Sequence, residues 1–445
     1  MSSIKHYQFG YLNQIFSIFF LFLNVIILPN VLNVETYAQL ILYLSFIGIA
    51  SMIINESASL VVINKYATNS GGDVFATFIR SNIEHALLSA FVFFLYLFLF
   101  GYQLLSRNTL TVLFLCVLAV NYYVLVSAYF IGKKKNHIVS IFSILTGIIN
   151  FILPISLFFM KIDMLYVVIG QCFTYILIAS IFMPFKNIFQ GSTRGFWKEK
   201  IFFSSEFFNL LIAIGIKPLL VWFPVIFYSN NGMSEESTSY RIAIGIIMAS
   251  LSFIPYNKLT LLSLQDTVSE TLSKYVSYAK IIGLLIALCF YFLSQYIYLI
   301  FPQYTSIGSF LLMLSPIPFL MLLFDIAIVK LTASKKLIFL SIIPIFGIML
   351  TVLLFTFNSS LNFINYLLTF FIIISVQSIY HSWMMDRKTN KKLYNNFEML
   401  INLFHLLALA LFFILNMTSG LLLVIIFISF LLFNLLQEFF YCNKT

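Results

Sequence analysis

Charge is what this sequence has least of. Its 445 residues include 25 Lys and Arg and 15 Asp and Glu, 9% of the chain, where an ordinary soluble domain carries about 25%. So few charges cannot clothe a water-exposed surface of this size without leaving large apolar patches, and a water-soluble fold is excluded. Cysteine is scarcer still. Cys116, Cys172, Cys289 and Cys442 lie in or beside apolar runs with no framework spacing, which excludes a disulfide-stapled secreted domain. There is no Gly-rich phosphate loop, no His-Glu-x-x-His and no Cys-x-x-Cys, and the five histidines show no metal-ligand spacing. Neither a soluble-enzyme signature nor a metal site is present in the pattern. A net charge of +10 does not point to nucleic acid, because the Lys and Arg punctuate apolar runs rather than clustering on one face.

What fills the chain is apolar: 61% hydrophobic residues, 53 Phe, 25 Tyr and a mean hydropathy of +1.02. Lipid is therefore the solvent for most of its surface. A backbone in lipid must satisfy its own hydrogen bonds, and uninterrupted runs such as 337–357 select helices over short alternating strands. Fourteen runs qualify as spans, at 9–30, 37–64, 81–105, 109–132, 138–160, 164–185, 201–228, 237–263, 279–301, 306–334, 337–357, 361–385, 397–416 and 419–441. The first lacks a small-residue cleavage site and is followed at once by a second span, so it reads as a retained helix.

Alternating the loops between two sides makes the charge distribution lopsided. One side collects Lys5, Lys65, Arg80, Lys133 to Lys135, the basic residues of 186–200, Lys335, Lys336 and the 387–392 cluster, while the other has only Arg107 and Lys161. The positive-inside rule makes the first side cytoplasmic and puts both termini there. The opposite side holds Glu35, Asp163 and the stretch 229–236, which has no basic residue.

An internal repeat is legible at a shift of about 200 residues. YFIGKKKNHIVSI at 129–141 matches KLTASKKLIFLSI at 330–342, and the turn and helix beginning at Tyr37 superpose on those beginning at Tyr240. Duplicated bundles with the substrate path between them are common in transporters. The expected architecture is all-α and polytopic: an N-terminal six-helix lobe at 1–187, a cytoplasmic loop at 188–200, a second six-helix lobe at 201–385 and two further helices at 386–445. The symmetry axis is expected along the membrane normal.

Ionisable residues inside spans are costly and usually face a cavity or a partner. Lys217 lies deep in its span and is followed by Pro218 and Pro224, each of which removes a ladder hydrogen bond. A cation beside a kink suits a moving, hydrated wall; snorkelling or a structural ion pair is the competing reading. Arg241 lies a little over one turn into the next span, with a guanidinium fork matched to phosphate or carboxylate oxygens or serving as an interfacial anchor. Glu56, Glu206 and Asp325 are the membrane acids. Burial would make them proton carriers, and a neighbouring cation would keep them ionised; Lys198 and Lys200 favour a structural pair for Glu206. Arg80 and Glu84 read as a local interfacial pair at the start of a helix. Pro316-Ile317-Pro318 is a further bending element.

ETYAQLILYLSFIGIASMIINESASLVV at 35–62, YFIGKKKN at 129–136 and YRIAIGIIMASLSFIPYNKL at 240–259 resemble segments of bacterial O-antigen and capsule flippases of the Wzx type, within the multidrug/oligosaccharidyl-lipid/polysaccharide exporter superfamily. The resemblance covers essentially the whole chain. It implies a multi-pass protein of the bacterial inner membrane that flips an undecaprenyl-diphosphate-linked oligosaccharide to the periplasmic leaflet without enzymatic chemistry. Lys217 and Arg241 would neutralise the diphosphate. No cofactor is expected, coupling to H+ or Na+ would involve Glu56, Asp325 or Glu206, and a polymerase and other glycan-assembly membrane proteins are the expected partners. A multidrug exporter of the same fold is the rival, expected to carry carboxylates where Lys217 stands. A glycan polymerase or ligase would need a large periplasmic loop, and the longest outside break is about eight residues; a non-transporting scaffold is the bland alternative.

Overall fold

The computed structural model describes residues 3–68, 74–96, 105–183, 216–251 and 268–333, with scattered helical positions at 209, 211 and 212 and between 368 and 432. Every regular element among the described residues is helical. In chain order these are α1 (Ser3–Val31), α2 (Val34–Thr68), α3 (Val74–Tyr96), α4 (Arg107–Gly132), α5 (Asn136–Phe159), α6 (Met164–Phe182), α7 (Ile216–Asn230), α8 (Ser234–Ser250), α9 (Val268–Leu293), a 3-10 turn (Ile297–Leu299), α10 (Ile307–Leu314) and α11 (Ile317–Ala333).

Local chemistry explains the ends. Ser106 caps α4 by accepting from the Thr109 amide at 3.2 Å, and Asp163 caps α6 by accepting from the Leu165 amide at 2.7 Å, each satisfying a donor that a helix start leaves orphaned. The tight turns leaving α4 and α5 place Lys134 and Lys161 in the left-handed region, at φ 57° and 56°.

Among the described residues, five stretches are long and apolar enough to cross a membrane: Val34–Met52, Arg107–Gly132, Asn136–Phe159, Met164–Phe182 and Ile307–Asp325. Large apolar side chains on α3 to α6, among them Leu87, Phe91, Leu115, Phe173 and Ile181, face outward. In water such a surface would be untenable; in lipid it is the expected exterior. The chain is an α-helical multi-pass membrane protein.

The first six helices pack together. The Ser140 hydroxyl of α5 donates to the Phe9 carbonyl of α1 at 3.2 Å, and Gly147 of α5 receives the Phe20 ring, so α1 and α5 run side by side in one direction. On α6, Tyr175 accepts from the Asn150 amide of α5 at 2.8 Å and lies 5.0 Å, centroid to centroid, from Tyr123 of α4. Phe142, fully buried, meets Phe130 and Phe182 edge-on.

Three elements depart from the span boundaries read in the sequence. α3 begins at Val74, seven residues before the expected 81, so Glu84 is three turns into the helix and buried beside a fully buried His85; it is not at an interfacial helix start. The 279–301 span is a helix, Val268–Leu293, followed by turns and the 3-10 turn. Composition counted Tyr296 to Phe301 as span because they are apolar, whereas backbone hydrogen bonding ends the helix at Leu293. The 306–334 span is two helices interrupted at Ser315-Pro316, where Pro316 supplies no amide donor. The spans at 337–357, 361–385, 397–416 and 419–441, apart from scattered positions, and the loop at 188–200 lie outside the described residues.

Helix starts recur along the chain: Val34 and Ser234 open α2 and α8, and Arg107 and Ile307 open α4 and α10, a shift of about 200 residues.

Candidate functional site

The connections at 32–33, 231–233 and 294–306 gather at one end of the bundle, and there helices α1 and α2 meet α7, α8 and the segment before α10. The Pro29 carbonyl near the end of α1 accepts from Gln303 Nε2 at 3.0 Å and from the Tyr304 hydroxyl at 3.2 Å. Val25 of α1 packs on Gly245 of α8, where an added Cβ would sit 2.6 Å from Val25 Cγ2. Gly48 of α2 lies under the Trp222 indole of α7, and a Cβ there would come within 2.5 Å of the ring. The indole Nε1–H is directed at Met52 Sδ, 2.9 Å away. Small residues let helix backbones approach closely where lipid supplies no hydrophobic drive for association. These contacts form a seam between the two halves of the chain.

Arg241 lies in this seam. Seven residues from the start of α8, about 10 Å along its axis, its Cζ sits 4.1 Å from the centroid of the Trp222 ring, a distance at which the ring quadrupole attracts the cation. Tyr37 of α2 and the neighbouring Tyr240, both buried, are close enough to interact with it electrostatically. Arg241 is half-buried. Among the described residues its guanidinium makes neither an ion pair nor a hydrogen bond. An aromatic face offsets charge but supplies no strong acceptor for five N–H donors.

The helices carrying this pair are fixed by polar ties. Ser237 of α8 donates to the Val225 carbonyl of α7 at 2.9 Å and shares a 2.9 Å hydrogen bond with Ser229. Tyr240 meets Phe310 of α10 edge-on at 5.6 Å. At the exposed end of α8, one carboxylate oxygen of Glu235 accepts from the Thr305 amide at 2.8 Å and its hydroxyl at 2.6 Å. Those bonds, with one from the Ser306 amide, hold the Glu235 carboxyl below its usual range.

The other residues singled out in the sequence are dispersed. Lys217 and Pro218 lie in the first turn of the described part of α7, Lys217 being five residues, about 7.5 Å, before Trp222 along the axis. Pro224 is buried inside α7. Glu56 lies on α2 between Asn55 and Ser57, both buried with side-chain oxygens that find no partner among the described residues. Asp325 is on α11, half-buried and engaged. Pro316 and Pro318, both buried, flank the break between α10 and α11. Glu206 lies outside the described residues. Among those residues no group of three or more His, Cys, Asp or Glu could hold a metal ion. A second polar cluster escaped the sequence reading: Ser89 of α3 accepts a hydrogen bond from Asn121 of α4, one turn beyond His85. The sequence reading also missed Trp222 and Gly48. A glycine inside a long apolar helix and a tryptophan away from an interface are the signals that would have found them.

No protein-family model matches the chain, and no curated protein matches it by sequence. Among solved structures its fold is similar to that of DinF-BH, described as a MATE multidrug transporter. The TM-score is 0.54 and the identity 12%, over 87% of this chain and 95% of that one. The fold is thus that of a MATE-type helical membrane protein. At this identity the likeness speaks to architecture alone.

Proposed function

We propose that this chain is a membrane transporter of the multidrug/oligosaccharidyl-lipid/polysaccharide exporter superfamily that flips an undecaprenyl-diphosphate-linked oligosaccharide by alternating access between its two halves. The observation carrying this reading is Arg241, a cation in the seam with no carboxylate partner among the described residues. A glycan and a diphosphate cannot cross hydrocarbon unaided, because each unpaired polar or charged group costs several kcal/mol there. A cationic wall that lowers this cost for the diphosphate, while the polyprenyl tail stays in lipid, is the function such a seam supports. Lys217, on the helix that presents Trp222, is the second cation in this proposal, and Pro218, Pro224, Pro316 and Pro318 supply the bends. Glu56, Asp325 and Glu206 are the coupling positions for H+ or Na+. The inner membrane with both termini cytoplasmic is the proposed setting, and glycan-assembly membrane proteins are the proposed partners. No covalent step is involved.

A multidrug exporter is the second reading, favoured by the fold likeness. Proteoliposomes separate the two. Flipping of a fluorescent polyprenyl-diphosphate oligosaccharide, lost in Lys217→Glu and partly kept in Lys217→Arg, is the expected result. Export of a cationic dye such as ethidium with no movement of the lipid-linked glycan would overturn the flippase reading. Imposed pH and Na+ gradients test coupling: Glu56→Gln and Asp325→Asn are expected to lose a gradient dependence that the wild type shows.

A further inference from the structure

The last carbonyls of a helix have no intrahelical donor, and the way α1 meets that need ties the two halves of the chain together. α1 closes at Val31. Its Leu28 carbonyl takes a local donor, the Leu32 amide at 2.8 Å. The next carbonyl, that of Pro29, takes two donors from the second half, Gln303 Nε2 at 3.0 Å and the Tyr304 hydroxyl at 3.2 Å. A carbonyl oxygen has two lone pairs, and both are used.

Those donors sit on a segment anchored in its own half. Tyr304, fully buried, closes a turn with its amide on the Phe301 carbonyl at 3.1 Å and packs edge-on against the Phe301 ring. Its neighbour Thr305 gives both its amide and its hydroxyl to Glu235 of α8. A chain of contacts therefore runs from α8 through 303–305 to α1, and it passes from one half to the other at the Pro29 carbonyl.

Deeper in the seam the halves meet by shape, Val25 on Gly245 and Gly48 under Trp222. The polar tie differs in how it can part. Polar groups separated within lipid find no replacement partner, but at this end Asn33, Glu35, Gln303 and Thr305 are exposed, so water can take over the carbonyl and both donors. Such a tie holds one arrangement by direction and breaks without stranding a polar group.

We propose that segment 303–305 is a latch: Gln303 and Tyr304 hold the seam shut at its loop end by capping α1, and opening of that end hands the Pro29 carbonyl to water. Use of the latch in a transport cycle rests on the alternating-access reading; its closure of the seam does not.

The test is a distance between spin labels at Glu35→Cys and Met233→Cys, exposed positions in the first and second halves at this end. The full chain is used in nanodiscs, with Cys289 and Cys442 replaced by Ser. The parent should give a distribution dominated by one short distance. Tyr304→Phe combined with Gln303→Leu removes both donors while keeping the tyrosine ring, and should raise the population at longer distance about threefold or more, two hydrogen bonds being exchanged for water. A control pair within the first half, Asn108→Cys and Ile162→Cys, both exposed, should keep its distance. A seam distribution unmoved by the double substitution overturns the latch and leaves the packing at Gly48 and Gly245 to hold the end shut. A control pair that broadens along with the seam pair assigns the change to loss of the fold and overturns it as well. Neither result depends on which substrate the proteoliposomes move, so the latch can fail while the transporter reading stands.

Discussion

Helix α4 and the pair α10–α11 open at positions about 200 residues apart, yet they are different objects. α4 runs unbroken from Arg107 to Gly132, with Leu115 and other apolar side chains facing outward. Its counterpart stops at Leu314, turns through Ser315 and Pro316, and resumes at Ile317, with every residue from Leu314 to Phe324 buried. The lesson concerns where a membrane helix can be interrupted. A break leaves backbone groups to be satisfied, which lipid cannot do and protein can. Here the Ser315 amide donates to the Leu312 carbonyl and the Leu320 amide to the Pro316 carbonyl, inside a jacket that includes α8 and α9. Cys116 stands in α4 where Pro316 stands in the counterpart, and its carbonyl faces the Cys172 thiol of α6 at 3.8 Å.

The sharpest way to break this comparison is to move the proline. Cys116→Pro should destabilise the protein by about 3 kcal/mol or more, because it removes a ladder bond and clashes with the preceding turn of a helix that lipid cannot rescue. Pro316→Ala should leave the melting temperature unchanged or raised, since the residues flanking it are already enclosed, and under the proposed function it should slow transport. Thermal unfolding in one detergent compares the two; a Cys116→Pro protein as stable as the parent would show that α4 has no greater need of continuity than its counterpart.

A smaller effect separates the seam from the interior of one half. Gly48→Ala drives a Cβ into the rigid Trp222 indole, whereas Gly170→Ala meets chiefly the end of the flexible Leu153 side chain. The first should cost about 1–3 kcal/mol, the range for overpacking, and the second markedly less. Equal losses of melting temperature would mean that the seam packs no more tightly than α5 on α6.

The smallest effect is at the exposed tie between α8 and the segment before α10. Glu235 has its folded-state pKa depressed by the Thr305 and Ser306 donors, so its contribution is present above the ordinary carboxyl pKa of about 4.3 and is lost as pH falls through the lower folded value. Glu235→Gln should lower the melting temperature slightly at pH 7, and the gap to the parent should close on acidification below about pH 4. A gap that stays constant with pH would assign the loss to geometry instead of charge.

How much of this was legible beforehand follows from what each feature depends on. Helical class and lipid exposure are consequences of composition along one dimension: too few charges for water, and runs too long and apolar for anything but a self-satisfied backbone. The interruption at Pro316 was visible for the same reason, since a missing amide is a property of one residue. Glu84 was misjudged because the start of α3 depends on backbone continuation before the apolar run, which hydropathy does not register.

By itself, then, the sequence determined the solvent, the helical class and the shift of about 200 between corresponding elements, because these are set by residue type and order. Which residues meet was decided only by tertiary structure. Gly48 and Trp222 are 174 positions apart, Pro29 and Tyr304 275, and no local pattern encodes a contact across such distances. Arg241 could be singled out as a cation in a span, but whether it faced lipid, an acid or an aromatic ring depended on which helix packed beside α8. The close approach permitted at Gly48 and Gly245 brought Trp222 and the two halves together around it.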